Sequence, residues 1–227
     1  MYNQHVERSA GFAGIAFVIV LALAAALPGI PPLAAAAPRE IGDYIATHRI
    51  MWLISAWLAL PLAAFFLWFV VQLRAFLRLA PQIDDGLPTY MLAAGVIAAA
   101  MLLVLASLQA AMTYPTSAGP AETLIVRALF YAFNEVATLL FMPLSVMVLA
   151  TSQSGRRHAS LPKEHVLFGY LTGLLLAVAS LSIFYPGGFL ALGGIGAAAI
   201  GLVPFGAWVV WTSLALIRAP RGIAGPA

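Results

Sequence analysis

The 227-residue chain contains no cysteine. Disulfide bonds, iron–sulfur clusters, thiolate zinc sites and covalently attached c-type haem are therefore excluded. Charged residues are also scarce, at 8%, whereas soluble proteins contain about 25%. This shortage of charge argues against a water-soluble globular protein.

Hydrophobic residues make up 63% of the chain, and the mean hydropathy is +1.00. They are concentrated in six runs that approach or exceed the ~20 residues an α-helix needs to cross a bilayer. Stretches such as 101–106 are continuously apolar and lack the alternation of a membrane β-barrel. We therefore expect an all-α fold, an integral membrane bundle of six transmembrane helices in which residues 1–227 form a single domain. The predicted spans are 10–27, 50–73, 89–112, 123–150, 166–185 and 189–217.

The first run has an alternative interpretation as a cleavable signal peptide, because a basic N-terminus precedes it and small residues follow. Cleavage near 34–37 would leave five spans. The run is longer than the usual apolar core of a signal peptide, which favours an uncleaved helix.

The basic residues predict the orientation, because Lys and Arg near span ends are retained in the cytoplasm. Both termini of a six-span protein share one side, and we expect that side to be cytoplasmic. Eight basic residues fall on it and three on the other: Arg8, Arg74, Arg78, Arg156, Arg157, Lys163, Arg218 and Arg221 against Arg39, Arg49 and Arg127. The net charge of +3 follows this distribution, so no nucleic-acid partner is predicted.

The composition also bears on the source and the compartment. Arg far outnumbers Lys, and Ala and Gly are abundant, which is typical of a GC-rich bacterial genome. We therefore expect a multi-pass protein of the bacterial plasma membrane.

The outer loop, 31–49, is the longest connection between predicted spans. Within it Ile41, Tyr44, Ile45 and His48 recur at helical spacing, and polar residues occupy the other positions. This pattern predicts a short interfacial helix.

Three prolines and one small-residue pattern suggest how the spans bend and pack. Pro61, Pro143 and Pro204 lie 13 or 14 residues before Arg74, Arg156 and Arg218, and each is predicted to kink its helix. The alternative is ordinary proline use in membrane helices. Gly193, Ala197 and Gly201, at four-residue steps, predict close helix packing or homo-oligomerisation.

The fourth span carries an unusual set of polar residues. Thr123, Arg127, Tyr131, Asn134 and Thr138 fall at helical spacing on one face, and Glu135 lies on its flank. Ionisable residues within a membrane are candidates for function. A chain of interactions from Arg127 through Tyr131 to Glu135 is predicted, and the protonation of Glu135 depends on its partners.

Further polar residues are predicted at the same depth. His48 and Arg49 open the second span, and Gln109 closes the third. We expect an outward-facing polar pocket around Glu135. The alternative is an interfacial belt of Tyr and Arg plus one Glu that is satisfied by bonds between helices.

Signatures of catalysis and of cofactors are missing from the sequence. Ser160 and Lys163 match the S-x-x-K motif of β-lactamases and penicillin-binding proteins. The match is attributed to chance, because the companion motifs of those enzymes are absent from the sequence. No lysine lies inside a predicted span to hold retinal, and no pair of intramembrane histidines is present for b-type haem. We predict no cofactor, no metal and no catalytic residue.

Four segments resemble the small polytopic bacterial membrane proteins of the domain-of-unknown-function family four-three-eight-six. The segments are 8–14, 44–49, 68–78 and 127–135. The resemblance implies a plasma-membrane location and supplies no catalytic residue.

The predicted function is that of a non-enzymatic binding or accessory protein of the membrane. Its expected partners are the lipid bilayer, a lipid or small-molecule ligand from the outer leaflet, and a second copy or a partner membrane subunit. Two alternatives stay open: a small-solute or proton-coupled transporter, and a membrane enzyme acting on a lipid with Glu135 as acid or base.

Overall fold

The computed structural model describes residues 4–78, 86–114, 120–158, 161–185 and 187–218. Within these ranges the regular structure is entirely helical. The elements are α1 (Gln4–Ala26), α2 (Pro38–Thr47), α3 (Arg49–Leu77), α4 (Gly86–Ala111), α5 (Pro120–Leu139), α6 (Phe141–Arg157), α7 (Lys163–Ser180), a 3₁₀ turn (Leu181–Phe184) and α8 (Ile195–Arg218). The prediction of a helical fold is confirmed for the described ranges. Six helical segments are long and apolar enough to cross a membrane, which is compatible with the prediction of a multi-pass membrane protein.

The fourth predicted span, 123–150, is divided into α5 and α6 at Leu140. Pro143 cannot donate a backbone hydrogen bond to the carbonyl of Leu139, so the helical ladder is interrupted one turn earlier. Leu140 itself keeps helical dihedral angles, φ −57° and ψ −30°. The two helices together form one segment long enough to cross a membrane, Thr123–Arg157. By contrast, α3 continues through Pro61 and α8 continues through Pro204.

The sixth span begins later than predicted. Position 189 was expected to open it, whereas α8 begins at Ile195. Glycines explain the difference, because Gly188 and Gly193 have φ of +85° and +72°, a left-handed conformation that ends regular helix. Gly193 therefore lies outside the helix in which the small-residue pattern placed it.

The helices form a bundle around one extended apolar core. Helix α1 packs against α3 and α8, α4 lies between α3 and α6, and α7 packs against α6 and α8. Phe66 is fully buried where α1 meets α3 and α8, and its ring centroid lies 5.0 Å from that of Phe17 and 6.5 Å from that of Phe205. Many large apolar side chains outside the core are exposed on the bundle surface, as expected where the solvent is lipid.

Helix α2 covers one end of the bundle, which we call the α2 end. The structure has this helix within the segment 31–49, where a short helix was predicted. Ile41 and Ile45 are buried, and they cluster with Met112, Val126 and Phe130 of the neighbouring helices. The side chain of Tyr44 donates a hydrogen bond to the backbone carbonyl of Pro28. Helix α2 is thus tied to the bundle on its apolar face, while Arg39 and Asp43 form an exposed ion pair on the other.

Candidate functional site

A cavity of about 280 Å³ lies inside the bundle near the α2 end. Its walls come from the last turns of α1, the first half of α3, the second half of α4, the break between α5 and α6, and the start of α8. The volume is just below the range of about 300–1,000 Å³ that is typical of small-molecule sites. Its walls are supplied by several of the membrane-length helices, and the cavity is partly open to the surface of the bundle.

Most of the lining is hydrocarbon. Six leucines and two phenylalanines supply the large hydrocarbon side chains, and seven alanines and three glycines supply small ones. None of the described residues that line the cavity is charged. A charged ligand would find no counter-charge there, whereas an apolar ligand would exchange one hydrocarbon environment for another.

Four polar side chains interrupt this apolar lining, one or more on each of three helices. Ser55 Oγ donates to the backbone carbonyl of Ala24, at 2.8 Å, and so joins α3 to α1. Gln109 Nε2 donates to the backbone carbonyl of Trp52, at 3.2 Å, and so joins α4 to α3. Each bond satisfies a group that would otherwise be buried without a partner.

The other two polar side chains belong to α5. Asn134 Nδ2 donates to the carbonyl of Phe130 one turn earlier, at 2.8 Å. Thr138 Oγ1 lies 3.3 Å from Ser182 Oγ of the 3₁₀ turn. The Asn134 carbonyl oxygen faces Gly193 so closely that a β-carbon at position 193 would collide with it. A glycine at position 193 is therefore required both by its positive φ and by the approach of Asn134.

Trp52 is the largest polar-tipped side chain of the lining, and it is only 1% exposed. Its ring packs among aromatic neighbours, with centroids 5.6 Å from Phe133, 6.3 Å from Phe130 and 6.5 Å from Tyr44. The indole Nε1–H is buried and has no hydrogen-bond partner. Because an indole N–H can only donate, any partner must be an acceptor.

A second cavity, of about 800 Å³, adjoins the first. Gly29, Pro31, Gly193 and Gly194 line both, so the two spaces meet between the end of α1 and the start of α8. The rim of the second cavity carries four exposed apolar side chains, which are Ile30, Leu33, Phe189 and Ile195. The inner cavity is thereby connected to a wide, apolar groove on the surface of the bundle.

The predicted site residues separate into two groups. Gln109, Asn134 and Thr138 line the cavity together. Arg127, Tyr131 and Glu135 do not, and Glu135 is exposed on the outside of α5. Helical geometry explains why Glu135 faces away from Asn134, because successive residues point about 100° apart around the axis. Arg127 and Tyr131 precede Asn134 by seven and three residues, so they lie nearer the start of α5, by about 10 Å and about 4.5 Å along the axis.

Arg127 and Tyr131 interact with each other away from the cavity. The guanidinium carbon of Arg127 lies 5.4 Å from the centroid of the Tyr131 ring, a cation–π distance. The Nε atom of Arg127 is buried and has no hydrogen-bond partner. The first half of the predicted Arg127, Tyr131, Glu135 chain is thus present.

His48 and Arg49 mark the corner between α2 and α3. His48 Nδ1 lies 2.9 Å from the carbonyl of Tyr44, and the two rings are 4.4 Å apart. Arg49 is exposed. Neither residue lines the cavity, so this corner caps the α2 end without entering the site.

A buried polar cluster in the opposite half of the bundle escaped the sequence analysis. His165 is 1% exposed, and its Nε2 lies 2.9 Å from Thr212 Oγ1. Thr212 donates its own hydrogen to the carbonyl of Trp208, so His165 Nε2 must be the donor to Thr212. Position 165 immediately precedes the fifth predicted span, which is why its burial was not predicted. The pair joins α7 to α8 beside the indole of Trp208.

The chemistry available to the cavity is binding. Its described lining contains hydroxyls, amides and one indole, but no ionisable side chain that could transfer a proton. Across the described ranges, no three His, Asp or Glu side chains gather where they could hold a metal ion.

No family model, no curated protein and no solved structure matches this chain. The resemblance to the four-three-eight-six family therefore stays a prediction, and any function must be argued from the geometry of the site.

Proposed function

We propose that this protein is a non-enzymatic membrane-lipid binding protein, which holds an acyl chain in the cavity at the α2 end. The observation that carries the proposal is the uncharged, hydrocarbon-lined cavity between membrane-length helices, which is partly open at the bundle surface. Such a space excludes ions and sugars, because it offers them too few hydrogen bonds to replace water.

The adjoining groove supports a route from the bilayer. Its rim presents Ile30, Leu33, Phe189 and Ile195, and all four are exposed. Exposed apolar side chains at the surface of a membrane bundle face lipid tails. A chain entering there would pass Gly29 and Gly193, which contribute no side chain to obstruct the junction of the two cavities.

The proposed site differs from a polar pocket around Glu135. It is centred on Asn134 and Thr138, the inward-facing neighbours of that residue, and on Gln109 and Trp52. Glu135, on the exposed face, is available to solvent, lipid headgroups or a partner subunit.

We also propose an orientation of the protein in the membrane and the membrane in which it lies. The distribution of basic residues favours cytoplasmic termini, with α2 and the cavity mouth at the outer face of the membrane. The Arg-rich composition and the family resemblance favour a bacterial plasma membrane.

One observation supports a transporter as a second candidate. The span 123–157 is divided into α5 and α6 at Leu140, beside the cavity, where the residue keeps helical dihedral angles. Transporter binding sites are typically formed where a spanning helix is divided. On this alternative the same cavity would release its ligand toward the opposite leaflet.

The cavity can be tested by filling it. Ala137 lines the cavity, whereas Ala128 lies on the exposed face of the same helix. We expect Ala137→Phe to abolish a lipid-sized mass adduct in native mass spectrometry of the protein purified from membranes. Ala128→Phe, the matched control, should keep the adduct at the parental level.

An adduct that survives Ala137→Phe, in a protein whose unfolding temperature shows that it is folded, would place the bound lipid elsewhere. A parental protein that carries no lipid and acquires none from added phosphatidylcholine would contradict lipid binding altogether.

A further inference from the structure

The unpaired N–H of Trp52 identifies which part of a lipid the cavity receives. We propose that the cavity takes up the ester end of an acyl chain, and that Trp52 Nε1–H donates a hydrogen bond to the ester carbonyl oxygen. This inference rests on the proposed function and adds to it the chemical group that is recognised.

The first step is that the N–H requires an acceptor. A buried polar group without a partner costs about 1–3 kcal/mol, and buried groups in native proteins are almost always paired. Trp52 is 1% exposed, its buried Nε1 has no partner, and Trp52 is one of the residues that line the cavity. A ligand that brings an acceptor oxygen would remove this cost.

The second step is that Trp52 is fixed in place, so the donor is pre-positioned. Its backbone carbonyl accepts the bond from Gln109, and its backbone N–H is bonded to the carbonyl of His48 at 3.0 Å. Phe130, Phe133 and Tyr44 surround the ring. A side chain already held by such contacts loses little entropy when it binds a ligand.

The third step is that the acceptor must be neutral. None of the described lining residues is charged, so a carboxylate or a phosphate would be buried without a counter-charge. An ester carbonyl is a neutral acceptor attached directly to hydrocarbon. It matches both the donor and the apolar walls.

The fourth step is that Trp52 lies at the membrane depth of lipid ester groups. Trp52 is three residues from the first residue of α3, a distance of about 4.5 Å along the helix. Lipid ester groups lie at the boundary between headgroups and hydrocarbon, the level at which tryptophan is enriched in membrane proteins. An acyl chain whose ester reached Trp52 would extend toward the bundle centre, past Leu105.

The test compares two probes that share a hydrocarbon chain. Saturation binding of tritiated methyl palmitate and tritiated hexadecane is measured on the purified protein, on Trp52→Phe and on Trp57→Phe. We expect the ester to bind about five-fold more tightly than the alkane, the effect of one neutral hydrogen bond. Trp52→Phe should remove this preference, and Trp57→Phe, which changes an exposed residue of the same helix, should keep it.

The possible results distinguish a failure of the Trp52 hydrogen bond from a failure of acyl-chain binding itself. If neither probe binds, both fail. If both bind with the same ratio of affinities in all three proteins, acyl-chain binding stands and the role of Trp52 is overturned.

A second measurement needs no substitution. Methyl palmitate labelled with ¹³C at the carbonyl is bound to the intact protein, and the carbonyl stretch is compared with that of the probe in dodecane. A hydrogen bond should shift the band of the bound probe to lower frequency. A band at the dodecane position would overturn the inference.

Discussion

Asn134 and Glu135 are neighbours in the chain and face opposite surroundings. The side chain of Asn134 lines the cavity and bonds to Phe130, whereas that of Glu135 is exposed on the outside of α5. The more chemically conspicuous of the two residues is therefore the one that lies outside the candidate site.

This relationship predicts that substitutions at the two positions have different effects on lipid binding and stability. Glu135→Gln should change lipid binding less than two-fold and leave the unfolding temperature unchanged, because the side chain contacts neither the cavity nor the core. Asn134→Ala should destabilise the protein by about 1 kcal/mol, the value of one buried hydrogen bond. Thermal unfolding in detergent and radioligand binding measure both effects. If the folded Glu135→Gln protein lost lipid binding, Glu135 would be part of the binding site, contrary to this prediction.

Gly193 should tolerate no side chain. Its φ of +72° costs an alanine roughly 1–2 kcal/mol, and the added β-carbon would also collide with the Asn134 carbonyl oxygen. Gly193→Ala should therefore lower the unfolding temperature and reduce lipid binding. Gly187→Ala is the matched control in the same connection, because a β-carbon there meets nothing within 4 Å. Equal stability of the two variants would contradict this description of the loop.

A close contact between α6 and α7 is predicted at Gly169. A β-carbon there would press directly against Ser152 Oγ and would lie 3.1 Å from Trp208 Nε1. Gly169→Ala should cost about 1–3 kcal/mol through overpacking. Adding Ser152→Ala should restore part of that loss, since its β-carbon is 3.3 Å away. A double-mutant cycle measured by thermal unfolding checks this, and strictly additive effects would argue against the contact.

Tyr44 gives the α2 end a dependence on alkaline pH. Burial raises the pKa of Tyr44 above the ordinary tyrosine value of about 10. The unfolded chain thus ionises first, so stability should be constant below about pH 10 and fall as the pH rises above it. Unfolding temperatures from pH 8 to 11, compared with Tyr44→Phe, measure the effect. If the Tyr44→Phe protein lost the same amount of stability at alkaline pH, the loss would be due to groups other than Tyr44.

The positions of the membrane spans were readable from the sequence, because a run of about 20 apolar residues has few other uses. The division between α5 and α6 at Leu140 and the late start of α8 at Ile195 were not, since both segments remain apolar throughout. Hydropathy measures whether a segment enters the membrane. It does not measure where backbone hydrogen bonds are interrupted.

The rotation of each helix was harder still to predict. In water the buried face of a helix is the apolar one, but lipid and protein core are equally apolar, so composition marks neither face. The helical pattern of α5 grouped Asn134 and Thr138 with Thr123, Arg127 and Tyr131, and of these only Asn134 and Thr138 line the cavity. The pattern gave no means of choosing their face over that of Glu135. Trp52 was overlooked for the same reason, since a tryptophan near a span end is usually a lipid-facing anchor.

The most direct test asks whether lipid reaches a tryptophan that the protein buries. The chain has five tryptophans. Among them Trp52 is 1% exposed and lines the cavity, Trp208 is 0% exposed and lies away from it, and Trp57 is 65% exposed on the surface. The protein is placed in vesicles of phosphatidylcholine with brominated acyl chains, and the quenching of each tryptophan is obtained by substituting it singly with phenylalanine.

An acyl chain in the cavity predicts that Trp52 is quenched almost as strongly as Trp57, that Trp208 is not, and that Ala137→Phe protects Trp52 alone. Quenching of Trp57 with equal protection of Trp52 and Trp208 would contradict the account, because it would show that lipid stays outside the bundle.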